Sequence, residues 1–113
     1  MSATVTTAAV HPPVTPAQLE AFRAALQAFV AEHYVRSGME TLAPMIELMV
    51  GAKYARIVRV SPGERSSYGF IDLANGDLLK ADGWKKPAKG VRGNMFAANP
   101  LAGCTAYGME YRR

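Results

Sequence analysis

One cysteine, two histidines and one tryptophan are all that this chain of 113 residues carries of the side chains most often given to thiol chemistry, metal binding and aromatic docking. Cys104 has no partner for an intrachain disulfide, which points to a reducing, cytoplasmic compartment. With His11 and His33 the only other soft ligands, a four-ligand zinc site is not expected. Long apolar runs are missing too. Nothing approaches the ~20 apolar residues of a membrane helix, and Met1 to Thr7 has neither the basic start nor the apolar stretch of a secretory signal. Walker, dinucleotide and nucleophile-elbow fingerprints are absent, so neither catalysis nor a cofactor is expected.

What is present describes one ordinary globular domain: half the residues are apolar and 19% charged. Residues 1–14, small, hydroxylated and ending His11-Pro12-Pro13-Val14, read as a disordered or extended arm before a single domain over 15–113. Thr15-Pro16-Ala17-Gln18 is a capping box with proline at the first helical position. Behind it Leu19, Phe22, Leu26, Phe29, Val30 and His33 recur at helical spacing, predicting an amphipathic helix over 16–37. His33, at the end of that stripe, reads as a structural histidine. A second, short helix is expected over 42–50, apolar nearly all round and stopped by Gly51. The period then becomes that of strands, over 53–60, 67–73 and 77–80. The last two flank Asn75-Gly76, a hairpin signal whose tightest form pairs Leu73 with Leu78 and Asp72 with Leu79. That register puts Ile71, Leu73 and Leu78 on one face and Tyr68, Phe70, Asp72 and Leu79 on the other. Glycines at 83, 90, 93 and 103 make 81–104 read as a long loop, before a last strand over 105–111. The fold class expected is α+β: a long and a short helix followed by a three- to four-stranded antiparallel sheet with a long basic loop.

Thirteen basic against nine acidic residues give a net charge of +4, but the excess is local. Residues 1–50 sum to −2 and residues 51–113 to +6, while Lys80 to Asn94 alone holds +4. That segment combines Lys80, Lys85, Lys86, Lys89 and Arg92 with glycines and Trp84. Cations neutralise phosphates and an indole stacks on unpaired bases, so the segment reads as a nucleic-acid contact. Arg56, Arg59 and Lys53 extend the patch, and Tyr68 and Phe70 add aromatic faces if their side of the sheet is open. The ordinary role of a lone tryptophan is packing, which leaves a second reading: a protein-binding module, either an oligomeric structural component or an inhibitor docked on a host enzyme. Asp72 finds no role at this level.

Phe70-Ile71-Asp72, Asn75-Gly76-Asp77-Leu78-Leu79-Lys80 and Trp84-Lys85-Lys86-Pro87-Ala88-Lys89-Gly90-Val91-Arg92-Gly93-Asn94-Met95 resemble the core motif of a group of short tailed-bacteriophage proteins. The similarity spans about 53 to 111, including Lys53 to Val58 and Tyr107 to Tyr111, and leaves the helical half outside it. Lys80-Ala81-Asp82-Gly83-Trp84 departs from the group's pattern, with alanine where proline is usual and an added acid. The resemblance implies a phage protein acting in the cytoplasm of an infected bacterium. The expectation is a small non-enzymatic accessory protein that meets nucleic acid, DNA or RNA, or else a host or phage protein, with no membrane involved and homo-oligomers allowed.

Overall fold

The computed structural model describes residues 14–105 and Gly108. Helix α1 runs Pro16–Arg36, and a single 3-10 turn, Glu40–Leu42, leads into strands β1 (Met45–Val50), β2 (Tyr54–Ser61), β3 (Glu64–Asp72), β4 (Asp77–Ala81) and β5 (Pro87–Asn94). The strands form one antiparallel meander in the order β1-β2-β3-β4-β5. The α+β class stands, with five strands rather than three or four. No helix among the described residues is long and apolar enough to cross a membrane.

The start of α1 is the capping box expected: the Gln18 amide donates to Thr15 Oγ1 at 3.2 Å and the Thr15 amide to Gln18 Oε1 at 2.9 Å. Leu19, Phe22, Leu26, Val30 and Tyr34 are its buried residues. They pack on Ile46, Ala55, Ile57, Tyr68, Ile71 and Leu78 from the sheet. Leu26 and Val30 are fully buried, each contributing roughly 1.5–3 kcal/mol of hydrophobic stabilisation. The core residue of the last turn is Tyr34 rather than His33, which is half-buried and meets the Tyr34 ring edge-on, with centroids 5.6 Å apart.

The short helix expected over 42–50 is a strand. Pro44 holds Ala43 extended, at φ −60° and ψ 129°, so the 3-10 turn cannot continue. Six residues then pair with β2 from Met45 opposite Val60 to Val50 opposite Ala55. Ile46 is buried and Leu48 half-buried, while Met45, Glu47, Met49 and Val50 are exposed. An edge strand with apolar side chains on both faces mimics a helix that is apolar all round.

The loop expected over 81–104 contains β5. Its ladder with β4 is interrupted by two register shifts, and Gly90 takes φ +93° within the second, between Val91 and Pro87. Pro87 is tolerated because β5 is an edge. Asp77, paired with Asn94, begins a β4–β5 hairpin, so the basic segment is a hairpin and not an open loop.

The Asn75-Gly76 hairpin forms, but two residues longer than its tightest version. Ile71 faces Leu78, Phe70 faces Leu79 and Gly69 faces Lys80. Asp72 supplies the reason: its carboxylate accepts from the Ala74 amide at 2.9 Å, and its carbonyl accepts from the Gly76 amide at 2.7 Å. A shift of two residues keeps every side chain on its face. Tyr68 still changes sides. Ile57 pairs with Gly69 and Val58 with Ser67, leaving Tyr68 as the extra residue of a β-bulge. The bulge turns its ring into the core beneath α1, while Phe70 and Leu79 stay on the opposite face. The arm and the strand expected over 105–111 lie outside the described residues, apart from Val14, Thr105 and Gly108.

Candidate nucleic-acid interface

Alternation along β2 sends Ala55, Ile57 and Arg59 toward α1 and Tyr54, Arg56 and Val58 to the other face. Cross-strand pairing then sets Arg56 beside Phe70 on β3 and Met49 on β1. The guanidinium carbon of Arg56 lies 5.8 Å from the Phe70 ring centre and 4.6 Å from that of Trp84. Trp84 reaches it from the turn between β4 and β5, where Gly83 adopts φ +84° and the Asp82 amide donates to the Lys86 carbonyl at 2.9 Å. Tyr54 meets Phe70 edge-on at 6.1 Å, and the Lys53 ammonium stands 5.3 Å from the Tyr54 ring centre.

These side chains bound an open groove of about 340 Å³, lined by Met49, Lys53, Tyr54, Arg56, Phe70 and Lys85 together with Val50, Gly51 and Ala52. Among the described residues three cations line it and no carboxylate does. Arg56 is only partly satisfied: Nη1 donates to Met49 Sδ, at 3.6 Å, and buried Nε has no hydrogen-bond partner among the described residues. The flanking aromatic faces hold the guanidinium by cation–π attraction without neutralising it. The groove therefore presents a pre-oriented planar cation next to a partly exposed indole, a combination that accepts an anionic oxygen on the first and a flat ring on the second.

Of the side chains expected to form the site, the structure brings Arg56, Trp84 and Lys85 together. Lys86 is exposed on the same turn and lies 4.0 Å from Asp82, a weak surface pair. Lys89 is exposed on β5. Arg92 donates to the carbonyls of Lys89, at 3.3 Å, and Gly90, at 2.7 Å, so its charge pins the β5 irregularity. Lys80 follows Leu79 on β4 and alternates to the other side of the sheet, away from the groove. Arg59 also faces α1, donating to the Tyr34 hydroxyl.

Tyr68 is not a stacking residue. Only 2% of it is exposed, and its hydroxyl donates to the Thr105 carbonyl. Burial, and after it the neighbouring Cys104 thiol, push its phenol well above the ordinary range, so it remains a neutral donor. Phe70 is buried too, and contributes by backing Arg56 rather than by meeting a ligand. Tyr54 was not among the residues singled out from the sequence. The alternation Tyr54-Ala55-Arg56 placed it on the face of Arg56 all along, since positions two apart on a strand share a side.

No curated protein and no solved structure matches the chain. The model of a family described as "Family of unknown function (DUF7717)" matches residues 7–107, and the chain belongs to that family.

Proposed function

We propose that this chain is a small non-enzymatic accessory protein that binds nucleic acid, single-stranded or without sequence preference, in the groove between β2 and the β4–β5 turn. One observation carries the reading: Arg56 stands between the rings of Phe70 and Trp84 with no carboxylate partner, in a groove whose other charged side chains are Lys53 and Lys85. Phosphates fall on these cations, with Lys86 and Lys89 extending the track, and a base stacks on Trp84. The likeness of Phe70 to Met95 to short tailed-bacteriophage proteins supports placing this activity in the cytoplasm of an infected bacterium.

Fluorescence anisotropy at low salt with labelled single- and double-stranded DNA and RNA tests the proposal. Binding is expected, strongest to single strands, and lost on Arg56→Ala with the melting temperature nearly kept. Absence of binding to all four probes sinks it.

The protein-binding reading has an observation of its own. Six of the nine exposed large apolar side chains among the described residues, Val35, Met39, Leu42, Met45, Met49 and Val50, fall within one stretch of the chain. That surface lies at the helix end and edge strand, and Met49 and Val50 join it to the groove beside the β4–β5 turn.

A further inference from the structure

The edge strand β1 is guarded at one end and bare at the other. Ile46 turns both backbone groups away from β2: its amide donates to Gln27 Oε1 at 2.7 Å and its carbonyl accepts from Arg23 Nη1 at 3.2 Å. Gln27 Nε2 also donates to the Pro44 carbonyl, at 3.0 Å. At the far end the Gly51 amide points inward, donating to the Tyr54 carbonyl at 2.8 Å. Antiparallel strands alternate these directions residue by residue, so Leu48 and Val50 direct their amides and carbonyls outward, where among the described residues no strand and no side chain of α1 meets them. The side chains here are apolar, Val50 being 62% exposed. The opposite edge, β5, carries Pro87, Lys89 and Gly90 instead, residues that discourage strand addition.

We propose that β1 pairs with β1 of a second copy of this chain, antiparallel about a two-fold axis through Met49. The free backbone groups select this register. Pairing Leu48 with Val50 of the second copy, and Val50 with its Leu48, satisfies all the bare amides and carbonyls and leaves the bonds of Ile46 to Gln27 and Arg23 undisturbed. A register centred on Leu48 instead sets Ile46 against Val50 and breaks those bonds. Charge agrees with the choice. Glu47, the one ionised residue of β1, falls opposite Gly51 of the second copy, two positions from its Lys53, rather than opposite its own symmetry mate. On the helix side, Leu48 and Val50 line an open groove of about 320 Å³ with Val14, Leu19 and Leu73. The second copy sets its own Leu48 and Val50 beside that groove. The arrangement is isologous and closed, so it ends at a dimer.

Two measurements on the full chain, made without nucleic acid, test this independently of the groove. Sedimentation velocity is expected to show a concentration-dependent dimer, which Val50→Lys weakens at least tenfold without lowering the melting temperature measured at dilutions where both proteins are monomeric. A chain that stays monomeric at millimolar concentration, or a dimer that Val50→Lys leaves intact, overturns the proposal. Cysteine cross-linking reads the register. Met49 of each copy forms a non-hydrogen-bonded pair, with Cα atoms about 4.5 Å apart, within disulfide reach. Met49→Cys is therefore expected to give a covalent dimer with oxidised glutathione, while Met45→Cys and the parent chain, whose Cys104 is buried, form no covalent dimer. Equal cross-linking of both variants, or of neither, refutes the register.

Discussion

Arg56 and Trp84, 28 positions apart in the chain, are in contact, the guanidinium carbon lying over the indole 4.6 Å from its centre. The contact ties the β4–β5 turn to β2 and keeps a charged plane and an aromatic plane ready side by side. Holding both in place before a ligand arrives reduces the ordering cost of binding.

Because Trp84 is the only tryptophan, its emission reports on this contact alone. Arg56→Ala is expected to shift the emission to the red as the indole loses its cover, and an oligothymidylate is expected to quench the parent protein by stacking. Arg56→Lys restores charge but not the flat stacked cation, so it recovers only part of the affinity. Equal binding by parent and Arg56→Ala refutes the assignment of the groove.

Salt dependence counts the phosphates. For single strands the slope of log K against log salt is about −0.7 per neutralised phosphate. The triple variant Lys85→Ala, Lys86→Ala, Lys89→Ala is thus expected to flatten the slope by about 2. Lys80→Ala, on the other side of the sheet, leaves it unchanged. Anisotropy titrations over a range of salt give both numbers, and a flattening by Lys80→Ala equal to that of the triple variant rules out the groove as the track.

How far these features were legible in the sequence depends on how local their causes are. Helix α1 announces itself because Thr15, Pro16 and Gln18 form its cap within one turn and its buried residues keep a single period. Strand β1 does not, since Met45, Met49 and Val50 are apolar without being buried and only Pro44 and the shortness of the run argue against a helix. Strand β5 is written in glycine, lysine and proline, which carry little strand preference, and owes its form to pairing with β4. The cation-rich turn was visible as composition. The side taken by Tyr68 was not, because a bulge is a mismatch between two strands and leaves no mark in the alternation of one.

Tyr68 gives that bulge an energetic signature. Its hydroxyl donates to the Thr105 carbonyl from a buried position, so Tyr68→Phe is expected to cost about 1–2 kcal/mol in denaturant unfolding while leaving nucleic-acid affinity intact. The pH dependence has a definite sign. The phenol titrates well above its usual value when folded and near pH 10 when unfolded. Its contribution is therefore full below about pH 10, and above it the unfolded chain ionises first and stability falls. The parent is expected to lose about 1.4 kcal/mol more per pH unit than Tyr68→Phe in that range. Parallel alkaline profiles for the two proteins contradict the burial of the hydroxyl.

Two glycines separate backbone strain from packing. Gly63, in the β2–β3 turn, and Gly76, in the β3–β4 turn, have nearly the same conformation, φ +76° and +81°. A Cβ at Gly63 meets nothing within 4 Å, whereas at Gly76 it comes within 2.7 Å of the Phe96 ring and 2.9 Å of Met95 Cγ. Gly63→Ala is expected to cost about 1 kcal/mol, the penalty of a left-handed backbone alone. Gly76→Ala adds overpacking of roughly 1–3 kcal/mol, in a turn that also anchors the end of β5 through the Met95 amide bonded to the Gly76 carbonyl at 2.9 Å. Gly76→Ala with Phe96→Ala relieves the ring clash and should recover part of that second cost, because Phe96 is partly exposed and its loss opens little cavity. Denaturant unfolding of the three variants measures the difference. Equal destabilisation by the two single alanines would mean that the 95–96 segment does not rest on the hairpin tip.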